Sequence, residues 1–227
     1  MRPAALLALF AFLFPSCGSI SDCMRAKIAG PPLPPPAPGS NFFQSRLPDK
    51  SMPMTRVAML PLSNARYTTQ ALRQVAEAFH TELSRKALFE IVPVRGTDLE
   101  EICGRRQISS VERIPSELFD GLRERFGAEG VLFTDITLFN PYRPVAIGVR
   151  AKLVDITSGA ITWACDFVYD SGQPAVAETA RAFQRQFSNP QRPIADDGGS
   201  VLISPARFAK FAACAAFSSL DNSSGVH

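Results

Sequence analysis

Proline divides this chain. Ten of its 19 prolines fall within the first 54 residues, and six of those lie in Pro31-Pro32-Leu33-Pro34-Pro35-Pro36-Ala37-Pro38. Proline has no backbone N–H and its ring fixes φ, so such a stretch enters neither a helix interior nor a central strand. Extended polyproline II is expected, about 3.1 Å per residue and roughly 25 Å over these eight residues. It reads as a spacer, with the folded part downstream. The 227 residues suit one domain plus leading segments. The expected organisation is a signal peptide over 1–16, a lipidated Cys17 and Pro-rich tether over 17–55, an α/β domain over 56–220 and a flexible tail over 221–227.

Residues 4–14, AALLALFAFLF, form an unbroken apolar run of 11. A helix needs about 20 such residues to cross a bilayer. The run instead fits the core of an export signal, with Arg2 and the terminal amine as its positive end. It closes on Phe14-Pro15-Ser16-Cys17-Gly18. This ending resembles the bacterial lipobox, in which a small residue precedes a lipid-modified cysteine. The resemblance implies a diacylglycerol group on the Cys17 thiol and, after cleavage, a further acyl chain such as palmitate on its amine. Two or more chains anchor durably where one binds only marginally. Gly18 in place of Asp implies sorting to the outer membrane, with the domain facing the periplasm. A plain signal-peptidase cut after Gly18 would instead leave a secreted periplasmic protein, and an uncleaved anchor is the third alternative.

The remaining composition narrows the chemistry. A net charge of +3, on scattered Lys and Arg, gives no basis for a nucleic-acid partner. Only His80 and His227 are present, so there is no HExxH zinc helix and any triad would need His80. His80 falls off the apolar stripe of its helix, as an exposed surface residue would. The cysteines are 17, 23, 103, 165 and 214, and no CxxC pair occurs. Zinc-ribbon and thioredoxin-like sites are thereby excluded. In an oxidising compartment Cys23, Cys103, Cys165 and Cys214 could form one or two disulfides, with the pairing open. Cys165 and Cys214 also suit buried, inert packing.

From Arg56 onward, strand and helix patterns alternate. Strands are expected at 56–61, 89–94, 130–139, 145–156 and 160–169. On the last, Ile161, Trp163, Cys165, Phe167 and Tyr169 share one face. A first helix carries the stripe Leu72, Val75, Ala76, Phe79, Leu83 and Ala87. A second, near 97–105, opens on a Thr97/Glu100 capping box. A third, near 115–126, stops at Gly127. Two more follow Pro174 and Ser204-Pro205, the last bearing Phe208, Phe211, Ala212 and Ala215. The order β-α-β-α-α-β-β-β-α-α predicts a single mixed sheet of about five strands with helices on its faces. Its first half would be parallel and its second an antiparallel meander.

Four segments in order, Val57-Ala58-Met59-Leu60-Pro61-Leu62, Phe89-Glu90-Ile91-Val92, Phe126-Gly127-Ala128-Glu129-Gly130-Val131-Leu132 and Leu153-Val154-Asp155-Ile156-Thr157-Ser158-Gly159 before Trp163, carry a family likeness. They resemble the periplasmic α/β domain of the curli-secretion lipoprotein, the Tol propeller protein's amino-terminal domain and lipoprotein activators of penicillin-binding proteins. The resemblance covers about 56–169 and implies fold and compartment rather than activity.

No GxSxG, GxGxxG or GxxxxGK[ST] motif occurs. Asp135 and Asp155, in or at the ends of strands, are the one carboxylate pair that could act as acid and base. Asp155 more simply starts a hairpin turn. Asp196-Asp197-Gly198-Gly199 lacks the alternating ligands of a calcium loop. The expectation is a non-catalytic envelope lipoprotein with no cofactor and no metal. It contacts the membrane through acyl chains on Cys17 and binds another envelope protein, with oligomerisation left open. The alternatives are an accessory subunit of an outer-membrane export or transport assembly, and a hydrolase using Asp135 and Asp155. Cells grown with labelled palmitate should label the chain, and Cys17→Ala should abolish the label; label persisting in that variant would overturn the lipidation.

Overall fold

Short runs rich in β-branched and aromatic residues pair into one sheet, and the amphipathic stretches between them cover it. The computed structural model describes residues 41–44, 54–63, 69–187 and 199–221. Cys17, Cys23, the 31–38 stretch, Asp196-Asp197-Gly198 and the 222–227 end lie outside them. The strands are β1 (Asn41–Gln44), β2 (Arg56–Met59), β3 (Glu90–Pro93), β4 (Gly130–Asn140), β5 (Ala146–Asp155) and β6 (Ile161–Asp170), in the spatial order β1-β6-β5-β4-β2-β3. β2 pairs in parallel with both β3 and β4, and β4, β5 and β6 form an antiparallel meander. The five strands from Arg56 onward follow the expected mixed topology. β1 adds an antiparallel edge strand beside β6 from within the stretch read as tether. Four residues, Asn-Phe-Phe-Gln, are too few to show an alternating pattern in sequence.

The helices are α1 (Thr69–Arg85), α2 (Gly96–Cys103), α3 (Ser116–Phe126), α4 (Pro174–Phe187) and α5 (Pro205–Asp221), with a 3₁₀ turn at Gly199–Leu202. α1, α4 and α5 cover one face of the sheet. There Val75, Phe79 and Leu83 of α1, Val176, Ala180 and Phe183 of α4, and Phe208, Phe211 and Phe217 of α5 pack on Leu153, Trp163, Cys165 and Phe167. α2 and α3 cover the other face at β2 and β4, where Leu99, Leu118 and Leu122 meet Ala58, Leu60, Val131 and Phe133. Asp98 joins these two helices. It accepts from Arg95 at 2.8 Å and from Arg125 at 3.0 Å, and the Arg95 hydrogen bond holds its carboxyl below the usual range. Gly127 ends α3 at φ +61°, a left-handed cap that glycine reaches without strain. No helix among the described residues is long and apolar enough to cross a membrane.

Three local expectations change. Ala87 is not part of the α1 stripe: the helix ends at Arg85, and Ala87 stands exposed at φ +51°. Thr97 and Glu100 form no capping box. α2 starts at Gly96 behind Arg95, which gives no side-chain cap, and Glu100 instead pairs with Arg106 at 2.8 Å. Ile161 leaves the apolar face of β6 and is 44% exposed. The register slips from Leu153↔Trp163 to Val154↔Ile161, so Thr162 is an extra residue that turns its neighbour outward. Trp163, Cys165, Phe167 and Tyr169 keep the buried face as expected.

Phe217 is fully buried where α1, α5 and β6 meet, with ring centroids 5.6 Å from Phe79 and 5.9 Å from Trp163. The Trp163 indole N–H donates to Ser219 Oγ at 3.1 Å, fixing the helix against the strand. Phe217→Ala should destabilise the chain by about 3–5 kcal/mol, read as a lower urea midpoint; a shift below about 1 kcal/mol would show that this junction does not hold the layers.

Candidate functional site

A proline just past the end of β2 opens the surface that stands out, and a second proline at the end of β3 lines it. β2 and β3 pair only as far as Met59↔Pro93. Val94 N–H still donates to Met59 O at 2.9 Å, but Pro61, just past β2, lacks the donor for the next rung, so the parallel ladder stops there. β2 stays attached on its other side. Leu60 N–H donates to Leu132 O at 3.1 Å and Ser63 N–H to Thr134 O at 2.9 Å, so Pro61-Leu62 spans the gap between them. α1 lies alongside. The result is an open groove of about 350 Å³, lined by Met59, Leu60, Pro61, Leu62, Pro93 and Val94 from the strand ends and by Ala76, Glu77, His80 and Thr81 from α1. It sits at the carboxyl ends of parallel strands, where open α/β sheets most often place ligands.

The walls are mainly apolar and the polar groups lie on the α1 side. The Thr81 hydroxyl donates to the Glu77 carbonyl at 2.7 Å and is occupied. Neither the His80 ring nor the Glu77 carboxylate has a hydrogen-bond partner among the described residues. His80 is half-buried along this groove rather than on an open surface. Its off-stripe position is correct, but the strand ends reach up to cover it. The arrangement can hold an apolar segment and offer it one imidazole and one carboxylate for hydrogen bonding. Sequence reading did not identify the groove. The signal was present in two apolar runs, VAMLP and EIVP, each closed by proline.

The carboxylates singled out in sequence do not come together. In the β4–β5 register Asp135 opposes Arg150 and Asp155 opposes Gly130. Five residues of strand separate the two positions, roughly 17 Å at about 3.4 Å per residue. Asp155 does what its turn position implies: its Oδ1 accepts from Ser158 N–H at 2.7 Å and from the Ser158 hydroxyl at 3.0 Å. Asp135 neither pairs with an arginine nor faces solvent. It is buried and accepts from the Ser109 hydroxyl and Ser110 N–H, each at 3.0 Å, and from the Ser110 hydroxyl. It thus ties the 104–115 connection to the sheet, and the two serines were invisible as its partners from sequence. Lys152 lies over the Phe133 ring at 4.8 Å. Burial pushes its pKa down, and the charge of Asp135 partly offsets this.

Cys103, Cys165 and Cys214 are thiols. Cys165 and Cys214 are buried in the larger core, and burial pushes the Cys165 thiol well up. Among the described residues no group of three or more His, Cys, Asp or Glu is placed to hold a metal ion.

Fold and groove define a mixed-sheet α/β domain with an open concavity at its parallel edge. No family model matches the sequence, and no curated protein matches it. Several solved structures are similar in fold. A PelC dodecamer from Paraburkholderia phytofirmans is 13% identical, with a TM-score of 0.41 over 74% of this chain and 96% of that one. A lipoprotein from Neisseria meningitidis is 17% identical, with a TM-score of 0.42 over 58% and 96%. The LpoB C-terminal domain from Salmonella enterica is 17% identical, with a TM-score of 0.36 over 52% and 85%.

Asp135→Asn should lower stability by about 2 kcal/mol, because its amide meets donors where oxygens now accept. Asp155→Asn, on an exposed turn that keeps one acceptor oxygen, should cost about 1 kcal/mol or less. Urea melts of both variants check this, and equal losses would overturn the assignment of Asp135 as the buried anchor.

Proposed function

We propose that the chain is a non-enzymatic module of the bacterial envelope, moored through Cys17, whose α/β domain uses the groove at β2, β3 and α1 to bind another envelope protein. The observation that carries this reading is the groove. It is open, apolar along its strand ends, and carries the Glu77 carboxylate and the His80 ring on its α1 side. Such a surface suits an apolar segment of a partner, held by burial and oriented by a few polar contacts. The separation of Asp135 from Asp155 counts against the hydrolase alternative built on that pair. The amino-terminal sequence supports the setting: an export-type apolar run, a cysteine after a small residue, and a proline-rich stretch that would hold the domain away from the bilayer. The outer membrane, with the domain facing the periplasm, is the proposed location.

A photo-activated cross-linker placed at Thr81 in the full chain, in cells, should give one discrete protein adduct. The same group at Glu124, on the exposed side of α3, should not. Ala76→Asp, which puts a charge into the half-buried wall, should reduce the Thr81 adduct at least about tenfold through the cost of desolvating it. Deleting residues 31–38 should reduce it without changing the melting temperature. Equal adducts at Thr81 and Glu124, or an adduct indifferent to Ala76→Asp, would overturn the groove as the binding surface.

A further inference from the structure

A second concavity lies where the β4–β5 turn meets the β6–α4 turn. Arg143 and Pro144 come from the first turn and Gly172 from the second, while Ala177 and Arg181 of α4 and Leu202 close the space, about 540 Å³ in volume. Its two arginines differ from most in the domain. Eight arginines, among them Arg56, Arg95, Arg125 and Arg150, hold a carboxylate within ion-pair distance. Arg143 and Arg181 hold none and make no hydrogen bond among the described residues. The carboxylates close by in sequence form no ion pair with them, and Asp170 sets one negative charge at the cleft wall against the two guanidiniums. Asp170 Oδ1 accepts from Gly172 N–H at 2.8 Å, and Glu178, one turn before Arg181 on α4, forms no ion pair with it. Arg181 is half-buried, so its charge is less screened than that of a surface arginine. The 14-residue helix α4 also begins at this cleft, and its positive end adds to the same field.

We propose that this cleft binds an oxyanion, a carboxylate or a phosphate group, between the guanidiniums of Arg143 and Arg181. Each guanidinium presents a planar fork of donors that matches two oxygens of either group. Pro144, Ala177 and Leu202 give the cleft an apolar lining, and its volume leaves room for the rest of a molecule bearing the anion. Tyr142, next to Arg143 and 78% exposed, offers that remainder an aromatic face at the rim. The site stands independently of the groove between β2, β3 and α1.

Isothermal titration of the full chain at low ionic strength, with inorganic phosphate in one arm and citrate in the other, tests this. Saturable binding of at least one probe is expected, weakening as salt is raised. The stronger arm identifies whether phosphate or carboxylate is the preferred source. The double variant Arg143→Ala/Arg181→Ala should weaken binding at least about tenfold, and Arg181→Lys several-fold, through loss of the two-oxygen fork. Arg113→Ala, an exposed arginine on another loop, should bind as the unaltered chain does. Circular dichroism melts of all variants should superimpose. Absence of saturable binding by either probe, or unchanged binding by the double variant, would overturn the proposal.

Discussion

Phe217 sits where three parts of the chain that are distant in sequence must agree. Its ring touches Phe79 from the first helix and Trp163 from the last strand, and it belongs to the carboxy-terminal helix. A side chain of this size excludes water only if all three surfaces are in place. The indole of Trp163 is then left facing Ser219, one turn or less further along the same helix, and finds its hydrogen bond there. Removing α5 would bare the apolar face of β6 from Trp163 to Tyr169 and one side of α1. The amino-terminal α/β half and the antiparallel meander therefore share one core, and the last helix completes it.

The same domain shows how backbone chemistry can shape a surface. Apolar walls alone would be expected to close by zipping up the ladder between β2 and β3. Pro61 prevents that past the Val94–Met59 bond, because it lacks the donor the next rung would need. Ser63 rejoins β4 beyond the gap, so the opening is bounded and the sheet remains continuous. A stretch left unpaired towards β3 and held to β4 on its other side gives an open concavity.

Much of the fold was legible because burial imposes periodicity. The stripe from Val75 to Leu83, the alternation from Trp163 to Tyr169 and the stop at Gly127 each follow from local geometry, and each reads off the sequence. What was not legible depends on partners. The extra residue at Thr162 exists only relative to the register of β5, so Ile161 was placed on the wrong face. Ala87 lies past a helix end that only the chain's exit direction sets. Thr97 and Glu100 have the right spacing for a capping box, yet Arg106 lies close enough to claim the glutamate. Of the site, the prolines were in plain view but their alignment at adjacent strand ends was not. Asp135 was singled out as half of an acid–base pair, whereas its partners are Ser109 and Ser110, 26 and 25 positions away in sequence. Arg143 of the β4–β5 turn and Arg181 of α4 carry no motif, and their convergence is a product of the fold alone.

The short strand β1 has a mechanical meaning. It lies at one edge of the sheet and β3, beside the groove, at the other, five strand spacings or about 24 Å away. A chain moored upstream of Asn41 would therefore deliver any pull to the edge remote from the groove. The first bonds to bear the load would be the four pairings from Asn41↔Asp166 to Gln44↔Trp163. Their release would free residues 41–44 from β6 and would leave β2, β3 and α1 in their places. Four backbone pairs would thus serve as a fuse, yielding before the strands that frame the groove are strained.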